Sequence, residues 1–138
     1  MRLWHYEIIP YLPKSQLIAQ WRELNSIFAK QDKHILINYI YNYPKDYLYS
    51  YSFCVLQEMK KRGYQIKKWD NYNEYFGSLR LSKPNMSLIY PEHNSEYFEI
   101  CYWNLKEKYL RGQSDFTTDM YYNMHNAYIR HIGNKNSK

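Results

Sequence analysis

PKSQLIAQWRELNSIFAK, residues 13–30, has the apolar spacing of an amphipathic α-helix. Its large apolar side chains recur every three or four residues, as on one face of a 3.6-residue period. They are Leu17, Trp21, Leu24 and Phe28, with Ile18 and Ile27 widening the stripe. Proline suits the first turn of a helix, because an N–H group there has no intrahelical partner. We therefore predict a first helix from about Pro13 to Lys30.

Similar spacing recurs in three later stretches, each followed by a glycine that can end a helix. These helices are predicted over 46–62, 95–111 and 114–131, with stops at Gly63, Gly112 and Gly133. Ser114 or Asp115 can cap the last of them. The predicted inward-facing residues are Leu48, Tyr51, Val55 and Met59, then Phe98, Cys101, Tyr102, Leu105 and Tyr109, and finally Met120, Met124, Ala127 and Ile129.

The segments between these helices have weaker patterns. Residues 1–12 are predicted to be extended, and residues 33–43 fit either a short helix or an extended piece. Residues 64–92 are predicted to be an ordered, aromatic-rich connection with one short helix at most. Because clear strand alternation is absent, we expect an all-α fold, a small single-domain bundle of about four helices with an extended N-terminal arm. Residues 1–132 would form one domain, with 133–138 as a frayed polar tail.

The composition favours an anionic partner. Nineteen Lys and Arg residues face thirteen Asp and Glu residues, a formal net charge of +6, which makes nucleic acid the first candidate. No apolar run approaches the roughly 20 residues of a membrane span. The first residues also lack the long apolar region of a signal peptide. We therefore expect a cytoplasmic protein without a membrane partner.

The cysteines, histidines and tyrosines can each be explained without a functional role. Cys54 and Cys101 lie within predicted helices and are expected to be reduced and buried. The five histidines are scattered without metal-ligand spacing, so we expect no metal site. The eighteen tyrosines can build an amphipathic core, stack on nucleic-acid bases, or do both.

The polar side of the first helix carries the candidate chemistry. Its members are Gln16, Gln20, Glu23, Ser26 and Lys30. Glu23 is therefore predicted to face solvent or a groove, and its neighbours three and four residues onward, Ser26 and Ile27, cannot neutralise it. Arg22 is likewise unpaired within the helix. On pattern alone, an ordinary solvated arginine and glutamate remain a sufficient interpretation.

Two segments resemble the pyrimidine-dimer DNA glycosylase family. The first is SQLIAQWRELNSIF, residues 15–28, followed by Lys33 and His34; it is similar to that family's first long helix. The second is LQEMKKRGYQI, residues 56–66, which is similar to a later helix and its glycine stop. The three tyrosines at 39, 41 and 43 resemble the piece between these helices, without a long loop there.

The resemblance implies a small all-α enzyme that removes ultraviolet-induced pyrimidine dimers without a metal or organic cofactor. The α-amino group of the first residue attacks the sugar C1′, expels the base and leaves an imine, and β-elimination of the 3′ phosphate follows. Met1 and Glu23 would then be catalytic, with Glu23 orienting the sugar and transferring protons. Arg22 would contact the DNA near the lesion. The implied partner is double-stranded DNA containing damaged bases or abasic sites.

Two departures leave details open. Residue 2 is Arg2, so either Met1 is retained and supplies the amine, which we favour, or Arg2 is the mature terminus. Gln16 and Ser26 replace a histidine and an arginine of the family's first helix, so the preferred lesion is open. The candidate DNA-binding residues are Arg2, Arg22, Gln16, Ser26, Lys30, Lys33, His34, Lys60 and Lys61. Substitute phosphate contacts are predicted from Lys14, Arg62, Lys67 and Lys68 together with the four lysines just named, although the basic run 60–68 also fits a solvated helix end.

Three functional hypotheses remain from the sequence. The first is a bifunctional glycosylase and abasic-site lyase acting through Met1, Glu23 and Arg22. The second is a non-catalytic nucleic-acid-binding module on the same scaffold. The third is an abasic-site lyase that acts on a different lesion.

Overall fold

The computed structural model describes the backbone of residues 1–136 and the side chains of residues 1–133. The regular structure of its described part is all helical, with no strand, which confirms the all-α prediction. The α-helices are α1 (Lys14–Lys30), α2 (Lys45–Lys61), α3 (Asp70–Phe76), α4 (Ser95–Leu110) and α5 (Thr118–Asn136). Short 3-10 helices span Ile9–Tyr11, Asn38–Asn42 and Gly77–Leu81.

The chain divides into two compact units. The first comprises Met1–Leu3 and Leu17–Tyr90, and the second comprises Trp4–Gln16 and Pro91–Lys138. Each unit has its own buried side chains, described separately below. The single domain over residues 1–132 stays a prediction.

The first unit is built on α1 and α2. Every member of the predicted α1 stripe at positions 17, 21, 24, 27 and 28 is buried, as are all four predicted inward residues of α2. Gly63 follows α2 with φ +78°, a backbone conformation that glycine adopts without strain. Aromatic side chains extend this core: the Phe28 ring lies 5.0 Å from that of Phe76 and 5.3 Å from that of Tyr75. The indole N–H of Trp21 donates to the carbonyl of Lys67 over 3.0 Å, which joins the 64–69 segment to α1.

The second unit packs α4 against α5 through stacked tyrosines. The rings of Tyr102 and Tyr128 are parallel at 3.9 Å, and those of Tyr109 and Tyr121 at 4.3 Å. The side chain of Asn94 caps α4 by accepting from the N–H of Tyr97 over 2.9 Å. Cys101 is buried, as expected, whereas Cys54 in the first unit is only half-buried.

Residues 6–11 of the N-terminal arm are not extended, so the prediction was wrong for this segment. Residues 6–8 form a turn that leads into the 3-10 helix Ile9–Tyr11. The N–H of Ile8 donates to the carbonyl of His5, and that of Tyr11 to the carbonyl of Ile8, both over 2.9 Å. Ile8, Ile9 and Leu12 are buried, and compact turns allow these closely spaced apolar residues of the second unit to be buried together.

The boundaries of α5 also differ from those predicted. The Asp115 carboxylate accepts from the backbone N–H of Ser15 over 2.7 Å, and the Thr117 hydroxyl instead accepts from the N–H of Met120 over 3.2 Å. The helix therefore begins at Thr118, and it continues past Gly133 to Asn136. Ile129, predicted to face inward, is 51% exposed. Residues 137–138 lie outside the described residues, and the frayed tail stays a prediction.

Candidate active site

A buried glutamine joins the start of the chain to α1 and α2. The side-chain amide of Gln20 donates to the carbonyl of Arg2 over 3.0 Å and to the Glu23 carboxylate over 3.3 Å. Its oxygen accepts from the Tyr51 hydroxyl over 3.0 Å. Gln20 is completely buried, although the helical pattern placed it on the solvated face. The prediction that Gln20 is solvated was therefore wrong. Helical periodicity gives the direction of a side chain around the helix axis, but it does not show which other segment packs against that side.

Glu23 lies half-buried among positively charged and N–H groups. Burial raises the pKa of its carboxyl group, because a charged carboxylate is poorly solvated there. The amino group of residue 1 and a hydrogen bond from the Arg2 backbone N–H oppose this rise, as do the charges of Arg22 and His34. The start of the polypeptide is therefore adjacent to the carboxylate of Glu23, and the Met1 residue itself is exposed.

A groove runs along α1, and Arg22, the neighbour of Glu23 in the sequence, lines it. We call it the α1 groove; its volume is about 480 Å³ and its lining includes Trp21, Arg22, Asn25, Ser26, Lys30, Tyr64, Lys67 and Lys68. Four of these residues are cationic, and none is anionic, so the groove suits a polyanion. The amide of buried Asn25 donates to the Trp21 carbonyl over 2.9 Å, while its Oδ1 has no hydrogen-bond partner among the described residues. Sequence analysis missed Asn25, because nothing in the pattern separates a buried asparagine from a solvated one.

The N-terminal half of the chain matches a known family. Residues 1–71 match the family described as pyrimidine dimer DNA glycosylase, which is just over half of the 138 residues. The chain belongs to this family. No curated protein and no solved structure matches the chain.

The pyrimidine dimer DNA glycosylase family implies base removal from DNA, so DNA is the substrate class of this site. The matched region contains the N-terminal segment, α1 and α2, together with the carboxylate of Glu23 and most of the α1 groove. Within the described residues, no helix is long and apolar enough to cross a membrane. Nor does this part of the chain contain a group of three His, Cys, Asp or Glu side chains that could hold a metal ion.

The sequence-predicted residues of this glycosylase family member separate into three groups. Met1, Arg2, Arg22 and His34 all act on Glu23, through charge or a hydrogen bond. Ser26 and Lys30 line the α1 groove with Arg22. The third group is not among the residues that act on Glu23 or line the α1 groove, and its members are Gln16, Lys33, Lys60 and Lys61.

The side chains of Gln16 and Gln113 satisfy each other within the second unit, over 2.7 and 3.2 Å. The Lys33 ammonium lies 3.5 Å from the centroid of the Tyr41 ring. Lys60 and Lys61 are exposed at the end of α2 and are not among the charges that act on Glu23. The hydroxyl of Ser26, a groove residue, is hydrogen-bonded to the Asp32 carboxylate.

Replacing Gln20 by alanine is expected to lower the free energy of unfolding by about 2–3 kcal/mol, because the change leaves a cavity and removes the hydrogen bond between Gln20 and the buried Tyr51 hydroxyl. Cleavage of damaged DNA should fall as well, because Arg2 loses one of its two hydrogen bonds to α1. Urea unfolding and a single-turnover cleavage assay measure the two effects. Gln57→Ala, on the exposed side of α2, is the matched control. If Gln20→Ala had the same free energy of unfolding as the wild-type protein, the hydrogen bonds of Gln20 would contribute nothing to stability.

Proposed function

We propose that this protein excises pyrimidine dimers and then cleaves the resulting abasic site, with the α-amino group of Met1 as the nucleophile. The observation that carries the proposal is the adjacency of that amine to the half-buried Glu23 carboxylate. Family membership supplies the reaction class, and this adjacency supplies a nucleophile and a proton-transfer group in one place.

The amine is suited to attack a sugar carbon near neutral pH. As a class, α-amino groups have pKa values of about 7.7–8.0, well below those of lysine side chains, so a larger fraction carries a free lone pair. In the proposed first step that lone pair forms a bond to C1′ while the C1′–N bond breaks. The electron pair of the broken bond leaves with the base, which takes up a proton. The nitrogen then loses its protons and forms a double bond to C1′ as the C1′–O4′ bond breaks; O4′ takes the electron pair and a proton, which opens the sugar ring and leaves an imine.

Glu23 is proposed to stabilise and move charge during these steps. Positive charge develops at C1′ as the base departs, and a carboxylate beside it lowers the energy of that transition state. After imine formation, a base removes a proton from C2′ and the C3′–O bond breaks, releasing the 3′ phosphate. Because burial raises the pKa of Glu23, its carboxylate is a stronger base than a fully solvated one.

The α1 groove is proposed to hold the DNA backbone. Arg22 and Lys30 line it from α1, and Lys67 and Lys68 line it from the 64–69 segment. Phosphate contacts of this kind fix the orientation of a duplex without reading its sequence. They would orient the lesion toward the carboxylate that Arg22 itself flanks.

Borohydride trapping tests the proposed nucleophile. Incubation with duplex DNA containing an abasic site, followed by reduction, should give a stable protein–DNA adduct that mass spectrometry maps to the N-terminal residue. Acetylation of the α-amine should abolish the adduct. Intact-mass measurement of the untreated protein decides between Met1 and Arg2 as the terminal residue.

The outcomes separate the three hypotheses. If protein with a free α-amine gives no adduct, both catalytic hypotheses are contradicted. The hypothesis of a non-catalytic DNA-binding module then remains. An adduct mapped to a lysine would contradict the assignment of Met1. An adduct on abasic DNA, without nicking of ultraviolet-irradiated plasmid, would indicate a lyase for a different lesion.

A further inference from the structure

Helix α4 carries a row of exposed side chains on the side opposite its buried residues. They follow one another at alternating intervals of four and three residues, and they are Glu96, Ile100, Trp103, Glu107 and Leu110. The apolar members are 49%, 52% and 70% exposed, in chain order. We call these five residues the α4 stripe. Their spacing is that of a helix which packs along a second helix.

The largest side chain of the α4 stripe is held in one orientation by its own unit. The indole ring of Trp103 lies 5.5 Å from the ring of Tyr102 and 6.1 Å from that of Tyr128. The Lys106 ammonium lies 4.7 Å from the centroid of the indole. Half of the tryptophan nevertheless stays exposed. Because its position is already fixed, little side-chain freedom is lost when a partner covers it.

The charges of the second unit favour a protein partner over DNA. This unit, Trp4–Gln16 and Pro91–Lys138, has seven Lys and Arg residues and seven Asp and Glu residues, so its formal net charge is zero. The first unit has twelve Lys and Arg against six Asp and Glu, and it therefore carries the whole charge of +6. A DNA-binding surface needs an excess of cations to neutralise phosphates. Two members of the α4 stripe are themselves carboxylates, which makes DNA a poor partner for it.

The charges along α4 are arranged so that a second copy of the helix complements it. Residues 92–99 include three glutamates and no Lys or Arg, whereas residues 106–111 include three Lys and Arg and one glutamate. Glu96 is in the first turn, and Arg111 follows the last turn, where it pairs with Glu107 over 2.8 Å at an exposed position. Antiparallel placement of two copies brings the acidic start of each α4 beside the basic end of the other. It also places opposite ends of the two helix dipoles side by side.

We propose that the protein forms a two-fold symmetric dimer in which the α4 stripes of two copies pack antiparallel, with Ile100 of one copy against Leu110 of the other. The contact is one helix long, about 24 Å at 1.5 Å per residue, so the interface is small and the dimer forms at high protein concentration. The stripe lies beyond residues 1–71, which match the family. It shares no residue with the α1 groove and includes neither Met1 nor Glu23, so the dimer and the proposed chemistry are tested separately.

Sedimentation velocity of the full chain, at protein concentrations from about 5 to about 500 µM, measures this association. The mass of the wild-type protein should rise from that of a monomer toward twice that value. Trp103→Ser should raise the midpoint concentration at least about ten-fold, because a tryptophan at the centre of an interface contributes strongly to binding. Leu110→Ser should raise it about five-fold. Ile129→Ser is the matched control and should associate like the wild type, since Ile129 is 51% exposed on α5, outside the stripe.

Charge reversal tests the antiparallel arrangement. Glu96→Lys and Arg111→Glu should each weaken association about three- to ten-fold, because each brings like charges together twice in the dimer. Both changes in one chain should restore association to within about two-fold of wild type, because the reversed charges again complement each other.

Three results would count against the proposal. A wild-type protein that stays monomeric over the whole concentration range would overturn it and leave the α4 stripe to a different protein. Association that is unchanged in both Trp103→Ser and Leu110→Ser would also overturn it, because the contact would then lie elsewhere on the molecule. Association that depends on Trp103 but responds to neither charge reversal would overturn the antiparallel arrangement.

Discussion

Glu23→Gln is expected to bind dimer-containing duplex DNA with near wild-type affinity but to cleave it at least about 100-fold more slowly. Glutamine has nearly the same shape and keeps an acceptor for the Arg2 N–H, but it neither carries the negative charge nor accepts a proton near neutral pH. The affinity is measured by fluorescence anisotropy and the cleavage by single-turnover gel assay. The loss should appear in the rate and not in the affinity, because the substitution leaves the proposed phosphate contacts of the α1 groove unchanged.

Glu74→Gln is the matched control, because Glu74 is an exposed carboxylate in α3 of the same unit. It should cleave at the wild-type rate. Wild-type cleavage by Glu23→Gln would remove Glu23 from the mechanism. A loss of binding equal to the loss of cleavage would assign Glu23 to assembly of the DNA surface and not to proton transfer.

Acid is expected to destabilise the second unit through two buried histidines. Burial lowers the pKa of His5 to about 4 and that of His93 to about 3, and the two rings lie 5.4 Å apart. Each uses Nδ1 to accept a backbone N–H: His5 from Glu7 over 3.1 Å, and His93 from Tyr6 over 3.2 Å. The neighbouring ionisable groups are Glu7 and His131, whose side chains approach to 2.6 Å. Both buried rings are thus built into the fold in their neutral form.

The direction of the pH effect follows from these lowered pKa values. Above about pH 6.5 both rings are neutral whether the chain is folded or not, so their contribution to stability is complete. As pH falls below that value, the unfolded chain binds protons that the folded chain does not, and the free energy of unfolding decreases until the folded-state pKa values are reached. The total loss between pH 6.5 and about 3 is on the order of several kcal/mol, since one pH unit corresponds to about 1.4 kcal/mol for each ring.

Urea unfolding at pH 7.5, 6.5, 5.5 and 4.5 measures this loss. The double variant His5→Asn, His93→Asn places an amide oxygen in the position of each Nδ1 and removes the titration, so its stability should depend much less on pH. His34→Asn, at an exposed histidine, should keep the wild-type dependence. Equal pH dependence in the double variant and the wild-type protein would assign acid sensitivity to other groups.

Helical spacing and glycine stops predicted the long helices well. The first two helices and α4 have bounds within about one residue of those expected, because each has a regular apolar stripe and a glycine follows both α2 and α4. The start of α5 was misplaced because the predicted cap, Asp115, accepts hydrogen bonds from Ser15, which is 100 residues away in the chain. No local pattern contains a contact of that separation.

In the candidate site, too, local patterns could be predicted from the sequence and long-range contacts could not. Glu23 and Arg22 could be named from the sequence, since the helix they occupy resembles a known family. Gln20 could not be separated from the other polar residues of α1, because its importance comes from Arg2 and Tyr51, which are 18 and 31 residues away. The histidines at 5 and 93 looked scattered for the same reason, although their rings lie close together in the fold.

The Gln20 amide couples the start of the chain to the interior of the first unit. Its hydrogen bonds to the Arg2 carbonyl and the Tyr51 hydroxyl can form together only after α1 and α2 have packed. The proposed nucleophile is therefore held beside its carboxylate only in the folded chain, so heat inactivation and thermal unfolding of the first unit should coincide.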